Sequence, residues 1–181
     1  LLRWQVHNPH HKPLIVFTPK SMLRLKAATS KTEEFLSGGF RPLIGDTTVD
    51  PKEVRKVVFC SGKVYYDLAA ERQKRGAMDT ALIRLERLYP LPGKEIQEEI
   101  SRYTGATTFL WAQEEPANQG AWPFIALNMV EHLDLIIGSG SVPNADRLRR
   151  VSRPASSSPA VGSAKRHQVE QQTLINEVFE V

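Results

Sequence analysis

The sequence predicts an α/β fold, a single domain built on a mostly parallel sheet with helices on both faces. Three observations predict it. Short continuous apolar runs of strand length recur along the chain, the signature of strands buried on both faces. Each run is followed by turn residues and then by a stretch of helical period, the alternation that builds βαβ units. The length of 181 residues suits one compact domain, which buries roughly two thirds of the surface its unfolded chain exposes.

The elements follow in order. Pro13-Leu14-Ile15-Val16-Phe17 reads as a buried strand, and Thr18 as the N-cap of a helix that opens with Pro19 and runs from Lys20 to Lys26. Phe40 to Ile44 adds a further short strand. Val54 to Ser61 is a β-branched strand, and Gly62 turns it into a helix, Lys63 to Arg75, with Val64 and Leu68 on one face. Thr80 to Leu85 is the next strand, followed by Pro90-Leu91-Pro92-Gly93 and a helix from about Lys94 to Tyr103 in which Ile96 and Ile100 share a face. Thr107 to Ala112 is a strand that ends in a loop, Gln113 to Gly120, before a helix around Trp122 to Leu133. A flexible Gly138-Ser139-Gly140-Ser141 segment, a strand at Arg149 to Val151, a Pro- and Ser-rich loop from Arg153 to Ala164 and a terminal helix capped at Gly162-Ser163 complete the chain.

Composition bounds the function. Hydrophobic residues make up 41% and charged residues 24%, a folded and soluble balance. The single Cys60 forms no internal bridge, and no apolar run approaches the length that spans a bilayer, so a disulfide scaffold and a membrane span are excluded and a reducing, cytoplasmic setting fits. The net charge of +4 is not gathered into an Arg/Lys stripe interleaved with aromatic residues, which argues against nucleic acid as a partner. Arg147, Arg149, Arg150 and Arg153 form the densest basic stretch and read as a charged sheet edge. The start at Leu1-Leu2-Arg3, without Met or a cleavage site, reads as a piece of a longer protein.

Ligands of open α/β sheets bind beyond the carboxyl ends of the strands, which selects three loops. At Thr18-Pro19-Lys20-Ser21, the free N–H groups of a helix start beside Lys20, Arg24 and Lys26 suit an anion, while an ordinary capped helix with a solvated basic face is the competing reading. Ser61-Gly62-Lys63 lacks the upstream glycine and following Ser or Thr of a nucleotide phosphate loop, so it reads as a plain turn. Gln113-Glu114-Glu115-Pro116-Ala117-Asn118-Gln119-Gly120 is dense in carboxylates and amides; these suit acid–base work or a cation, and equally a helix cap or a subunit contact. No Cys/His set has zinc spacing and no Gly-x-Ser-x-Gly elbow occurs, so no catalytic or metal residue is assigned. Cys60 reads as a buried, inert thiol.

Four segments nevertheless carry a family pattern: Lys12-Pro13-Leu14-Ile15-Val16-Phe17-Thr18-Pro19-Lys20-Ser21-Met22-Leu23-Arg24, Phe59-Cys60-Ser61-Gly62-Lys63-Val64-Tyr65-Tyr66-Asp67-Leu68, Arg84-Leu85-Glu86-Arg87-Leu88-Tyr89-Pro90, and Gln113 through Trp122. In this order they resemble the C-terminal domain of the E1 component of 2-oxoglutarate dehydrogenase across essentially the whole chain. Pro-Ala-Asn-Gln-Gly-Ala-Trp is similar to the actinobacterial branch, which includes 2-oxoglutarate decarboxylases; Leu127 to Asp146 matches least and stays unassigned.

The resemblance implies a transketolase-type C-terminal domain over residues 1–181. It also implies a homodimeric parent enzyme that uses thiamine diphosphate and Mg2+ and passes a succinyl group to a lipoyl arm of the E2 succinyltransferase. The family's cofactor motif and catalytic groups fall upstream, so the segment alone is expected to be inactive, and Gln113 to Gly120 to form a subunit or domain contact. Actinobacterial relatives further imply an allosteric anion site for acetyl-CoA or an adenine nucleotide at Arg3, Lys20, Ser21, Arg24 and Lys26. An autonomous nucleotide- or acyl-CoA-binding module of the same fold is the alternative.

Overall fold

The computed structural model describes residues 2–129 and 148–181, with side chains from Gln5 onward. The chain divides into two compact units, Leu1–Arg41 and Pro42–Val181. The expected Gly138 to Ser141 segment, the end of the helix expected to reach Leu133, Arg147, and all but the first three residues of the unassigned 127–146 stretch lie outside the described residues.

The first unit contains two short helices, α1 (Leu2–His7) and α2 (Glu33–Leu36), and two 3-10 turns, Lys20–Arg24 and Lys26–Ala28. Two expectations are corrected here. Residues 13–17 form no strand, and Ile15, Val16 and Phe17 are 77%, 56% and 96% exposed. A strand apolar on both sides forms only between neighbours that supply hydrogen bonds and cover both faces, and no described residue of this unit is buried. The helix expected over Lys20 to Lys26 is split into two 3-10 turns at Leu25, whose backbone is extended (φ −76°, ψ 112°). Thr18 is not its cap: Pro19 holds that position and no side chain caps the turn.

The second unit carries the α/β fold. Its strands are β1 (Leu43–Ile44), β2 (Lys56–Cys60), β3 (Thr80–Leu85), β4 (Thr108–Pro116) and β5 (Arg149–Arg153). Its helices are α3 (Val64–Arg75), α4 (Gly93–Ile100), α5 (described over 122–129) and α6 (Ala164–Glu180). The sheet order is β1-β3-β2-β4-β5, with β1 antiparallel to β3 and the other pairs parallel.

Period-two alternation divides the buried residues between two cores. Val57, Phe59, Ile83, Phe109 and Trp111 face one side, where Ile96 and Ile100 of α4 and Ile125 and Met129 of α5 cover them. Val58, Cys60, Leu82, Leu110 and Val151 face the other, under Val64 and Leu68 of α3 and Leu174 and Val178 of α6. Burying each such large side chain stabilises by about 1.5–3 kcal/mol. Helix ends follow local chemistry: α3 stops at Gly76, whose φ of 65° is left-handed, and Ser163 Oγ accepts from Arg166 N–H at the start of α6.

β4 is the one inner strand longer than its sequence pattern suggests, continuing through Gln113 to Pro116. The pairing of Pro116 with Arg153, after an irregularity beyond Ala112, and the Ala117 N–H to Arg153 carbonyl bond (3.0 Å) hold this polar end on β5. Helices therefore cover both faces of a mostly parallel sheet.

Candidate functional site at the carboxyl ends of the strands

From the central strand β2 the chain moves first to β3 on one side and then to β4 on the other. Beyond the carboxyl ends of β2 and β4 lies the crevice where such sheets take ligands. A cavity of about 350 Å³ lies there, lined by Ser61, Leu88, Trp111, Gln113, Gly120 and Phe124 among others.

Gln113 organises its wall. The side chain is 3% exposed, and its Oε1 accepts from Trp111 Nε1–H and Trp122 N–H, both at 2.9 Å. Its Nε2 donates to the carbonyls of Gln119 (2.8 Å) and Pro116 (3.2 Å). One amide thus closes residues 113–122 on themselves. Gly120 adopts φ +68°, and a Cβ there would press on Glu115. A second amide contact ties the loop to the segment after β5: Asn118 Nδ2 and Gln119 Nε2 both donate to the Ser156 carbonyl at 3.0 Å, and Ser156 N–H returns a bond to Asn118 Oδ1.

Charged groups at this edge are engaged within the domain. Lys63, at the start of α3, pairs with Glu114 and lies 3.8 Å from Asp67. Gln171 of α6 donates to both of those carboxylates at 3.0 Å. Arg153 donates to the Glu114 and Pro159 carbonyls and pairs with Glu170. Arg84 stacks over the Tyr65 ring at 4.5 Å and lies 3.5 Å from Glu86. Burial raises the Tyr65 hydroxyl above its ordinary value, against the opposing pull of the Arg84 guanidinium. Glu115 is the exposed carboxylate of the segment. The cavity is lined by Ser61 and the Glu115 carboxylate beside an aromatic wall, with Gln113 already engaged, so it can hold a small group with one polar end. Among the described residues no hydrogen bond joins Ser61 Oγ to Glu115 or another base, the pairing that covalent catalysis needs.

Of the anion-site residues, Lys20, Ser21, Arg24 and Lys26 lie within seven residues of one another in sequence, and all are exposed. Among the described residues, none of the three cations has an ion-pair partner, while the Arg3 side chain lies outside them. Cys60 is buried, and burial pushes its thiol up to about 12, as expected of an inert cysteine.

Sequence reasoning missed a buried polar cluster behind the sheet. Asp46 accepts from Arg72, from Leu82 N–H at 2.9 Å and from Thr48 through both N–H and Oγ1. Arg72 also donates to the Thr80 carbonyl at 3.0 Å. Burial alone raises the Asp46 carboxyl, but the bonds from Leu82, Thr48 and Arg72 together hold it below the usual carboxylate value. Glu99 joins by accepting from Asp46 N–H (3.3 Å), Arg102 and Tyr103. Burial, then the bond to Glu99, raises the Tyr103 hydroxyl. Two sequence signals point to this cluster: Asp46-Thr47-Thr48 is an Asx-turn pattern, and Arg72 continues the buried Val64, Leu68 spacing of α3.

Comparison with known proteins assigns the family. The family model described as 2-oxoglutarate dehydrogenase C-terminal matches residues 29–179. The 2-oxoglutarate dehydrogenase E1/E2 component of Corynebacterium glutamicum is 46% identical over 182 residues, covering 99% of this chain and 14% of its own length. The multifunctional 2-oxoglutarate metabolism enzyme of Mycolicibacterium vanbaalenii is 43% identical, with the same 99% and 14% coverage. The 2-oxoglutarate dehydrogenase E1 component of Cupriavidus necator is 42% identical over 99% of this chain and 18% of its own. This chain therefore spans less than a fifth of the length of these curated relatives. With helices on both faces of a mostly parallel sheet, and with identity extending over all but its extreme ends, the chain belongs to the 2-oxoglutarate dehydrogenase C-terminal family.

Proposed function

We propose that this chain is the structural and regulatory C-terminal part of a thiamine diphosphate-dependent, homodimeric and cytoplasmic 2-oxoglutarate dehydrogenase E1. The complete enzyme decarboxylates 2-oxoglutarate and passes the succinyl group to a lipoyl arm of an E2 partner. The observation that carries this reading is the 99% coverage of the chain by relatives named as E1 components. The geometry agrees with a scaffold, since Lys63, Glu114, Gln171 and Arg153 at the strand ends spend their charges and amides on one another. The donor set here does not fit a diphosphate–magnesium site: among the described residues no three His, Cys, Asp or Glu side chains gather around one point. No step of the reaction is therefore assigned to this chain, and the cofactor's electron-sink chemistry belongs to the preceding part of the enzyme. No helix among the described residues is long and apolar enough to cross a membrane.

The test is reconstitution. The full-length polypeptide, with thiamine diphosphate, Mg2+ and lipoylated E2, should form succinyl-dihydrolipoyl groups from 2-oxoglutarate, while the 181-residue chain under the same conditions forms none. Failure of the full-length protein to do so would refute the reading.

Regulation belongs to the same proposal. Lys20, Ser21, Arg24 and Lys26, with Arg3, form the effector contact for the phosphates of acetyl-CoA or an adenine nucleotide. Support comes from exposed cations that have no ion-pair partner among the described residues, not from a helix start, since the 3-10 turn is too short to supply one. Removing one charge-assisted contact costs about 1.5–3 kcal/mol, roughly a tenfold to hundredfold loss in affinity. Titration of acetyl-CoA against the full-length enzyme carrying Lys26→Ala or Ser21→Ala should show that loss; unchanged activation in both variants would return the cluster to an ordinary solvated face.

A further inference from the structure

We infer that the cavity beyond the carboxyl ends of β2 and β4 is a binding site for a small organic ammonium ion, a cationic head on an aromatic or branched apolar body. The inference rests on the cavity itself and does not depend on the proposed E1 activity.

Glu115 sets the charge. Its carboxylate lines the cavity and, among the described residues, accepts no hydrogen bond and pairs with no cation. The cations of this edge are committed elsewhere: Lys63 to Glu114, Arg84 to Glu86 and Arg153 to Glu170. A carboxylate without a counter-ion at a concave and partly apolar mouth attracts a cation, and the low-dielectric walls strengthen that attraction. The same charge repels phosphates and 2-oxo acids. Ser61 adds a hydroxyl that can accept an ammonium N–H.

The walls suit the body of such an ion. Trp111 and Phe124 line the cavity, and Tyr89, 82% exposed, continues the aromatic surface outward, its ring 6.3 Å from that of Phe124 and inclined at 74° to it. Aromatic faces attract ammonium groups, and rings steeply inclined to one another are the means by which proteins hold alkylated ones. The volume of about 350 Å³ lies at the small end of the roughly 300–1,000 Å³ of ligand pockets and accommodates a single-ring amine.

The carboxylate is also held in place before any ligand arrives. Glu115 stands on the extension of β4 between Gln113, whose amide closes residues 113–122 on themselves, and Pro116, which pairs with Arg153. At Gly120 a Cβ would come within 2.8 Å of the Glu115 Cβ, so the glycine leaves the space that the Glu115 stem occupies.

The experiment titrates the full-length polypeptide with two probes of the same apolar body, phenethylamine, which is protonated at neutral pH, and 2-phenylethanol, which is not charged. Binding is read by saturation-transfer NMR of the probe, without reference to turnover. Phenethylamine should bind saturably and at least roughly tenfold more tightly than the alcohol, the discrimination that one charge-assisted hydrogen bond supplies. Glu115→Gln, a substitution at an exposed side chain, should bring the two probes to equal affinity. Absence of saturable phenethylamine binding, equal affinity of both probes for the wild type, or a preference for the amine that survives Glu115→Gln would each overturn the proposal.

Discussion

Asp46 and Arg72 form a buried ion pair, with side chains 4% and 8% exposed. Ion pairs this deep gain little over a well-packed apolar pair, but removing one partner strands the other charge. Asp46→Asn should therefore cost about 3–5 kcal/mol at neutral pH, read from urea unfolding. The sign of its pH dependence follows from the direction of the shift. Because the folded carboxyl titrates below its ordinary value, the stability it lends is complete above about pH 4, the unfolded value. It drains away as pH falls from there through the folded value. The wild-type and Asp46→Asn curves should converge in acid; a constant gap down to low pH would show that Asp46 acts by packing instead. Gly45 belongs to the same cluster, since any Cβ there would meet the Glu99 carboxylate.

The element on which the site depends is the polar end of β4 with the loop that follows, and Gln113 is its fastener. Gln113→Ala would leave Trp111 Nε1–H, Trp122 N–H and the Gln119 carbonyl without their partner, at a cost of about 1–3 kcal/mol per group left buried and unpaired. Faster deuterium exchange confined to residues 113–122 is the expected signature. Global destabilisation with unchanged local exchange would contradict it. Elements are also where sequence reading succeeds and fails for identifiable reasons. Thr80 to Leu85 matches its strand residue for residue because its apolar run is bounded by turn residues, and Gly62 and Gly76 mark the ends around α3. The polar extension of β4 is invisible to apolar patterning, since Gln113 satisfies it through local side-chain bonds and Arg153 through a bond from 39 residues away. Leu14 to Phe17 carries a strand pattern without a strand, because a sequence pattern records which faces must be covered and not which segment covers them. Asp46, Glu99 and Arg72 were hidden for a similar reason: each reads as an ordinary surface charge until 26 and 53 residues of separation are folded together.

At the scale of the molecule, the parallel sheet brings the carboxyl ends of β2, β4 and β5 to one edge, and the side chains there are joined to one another. Glu114 is bound to Lys63 and Gln171, which leaves Glu115 as the carboxylate that lines the cavity. The central claim is that this edge serves as a scaffold for an enzyme whose chemistry lies elsewhere. The most direct measurement is steady-state release of CO2 from 2-oxoglutarate by the full-length enzyme carrying Glu114→Gln, with thiamine diphosphate affinity determined on the same preparation. An acid or base in the reaction contributes roughly 10²–10⁴ in rate. The scaffold account predicts turnover within about threefold of wild type, far below that contribution. A loss of roughly a hundredfold or more, with cofactor affinity and assembly intact, would contradict it.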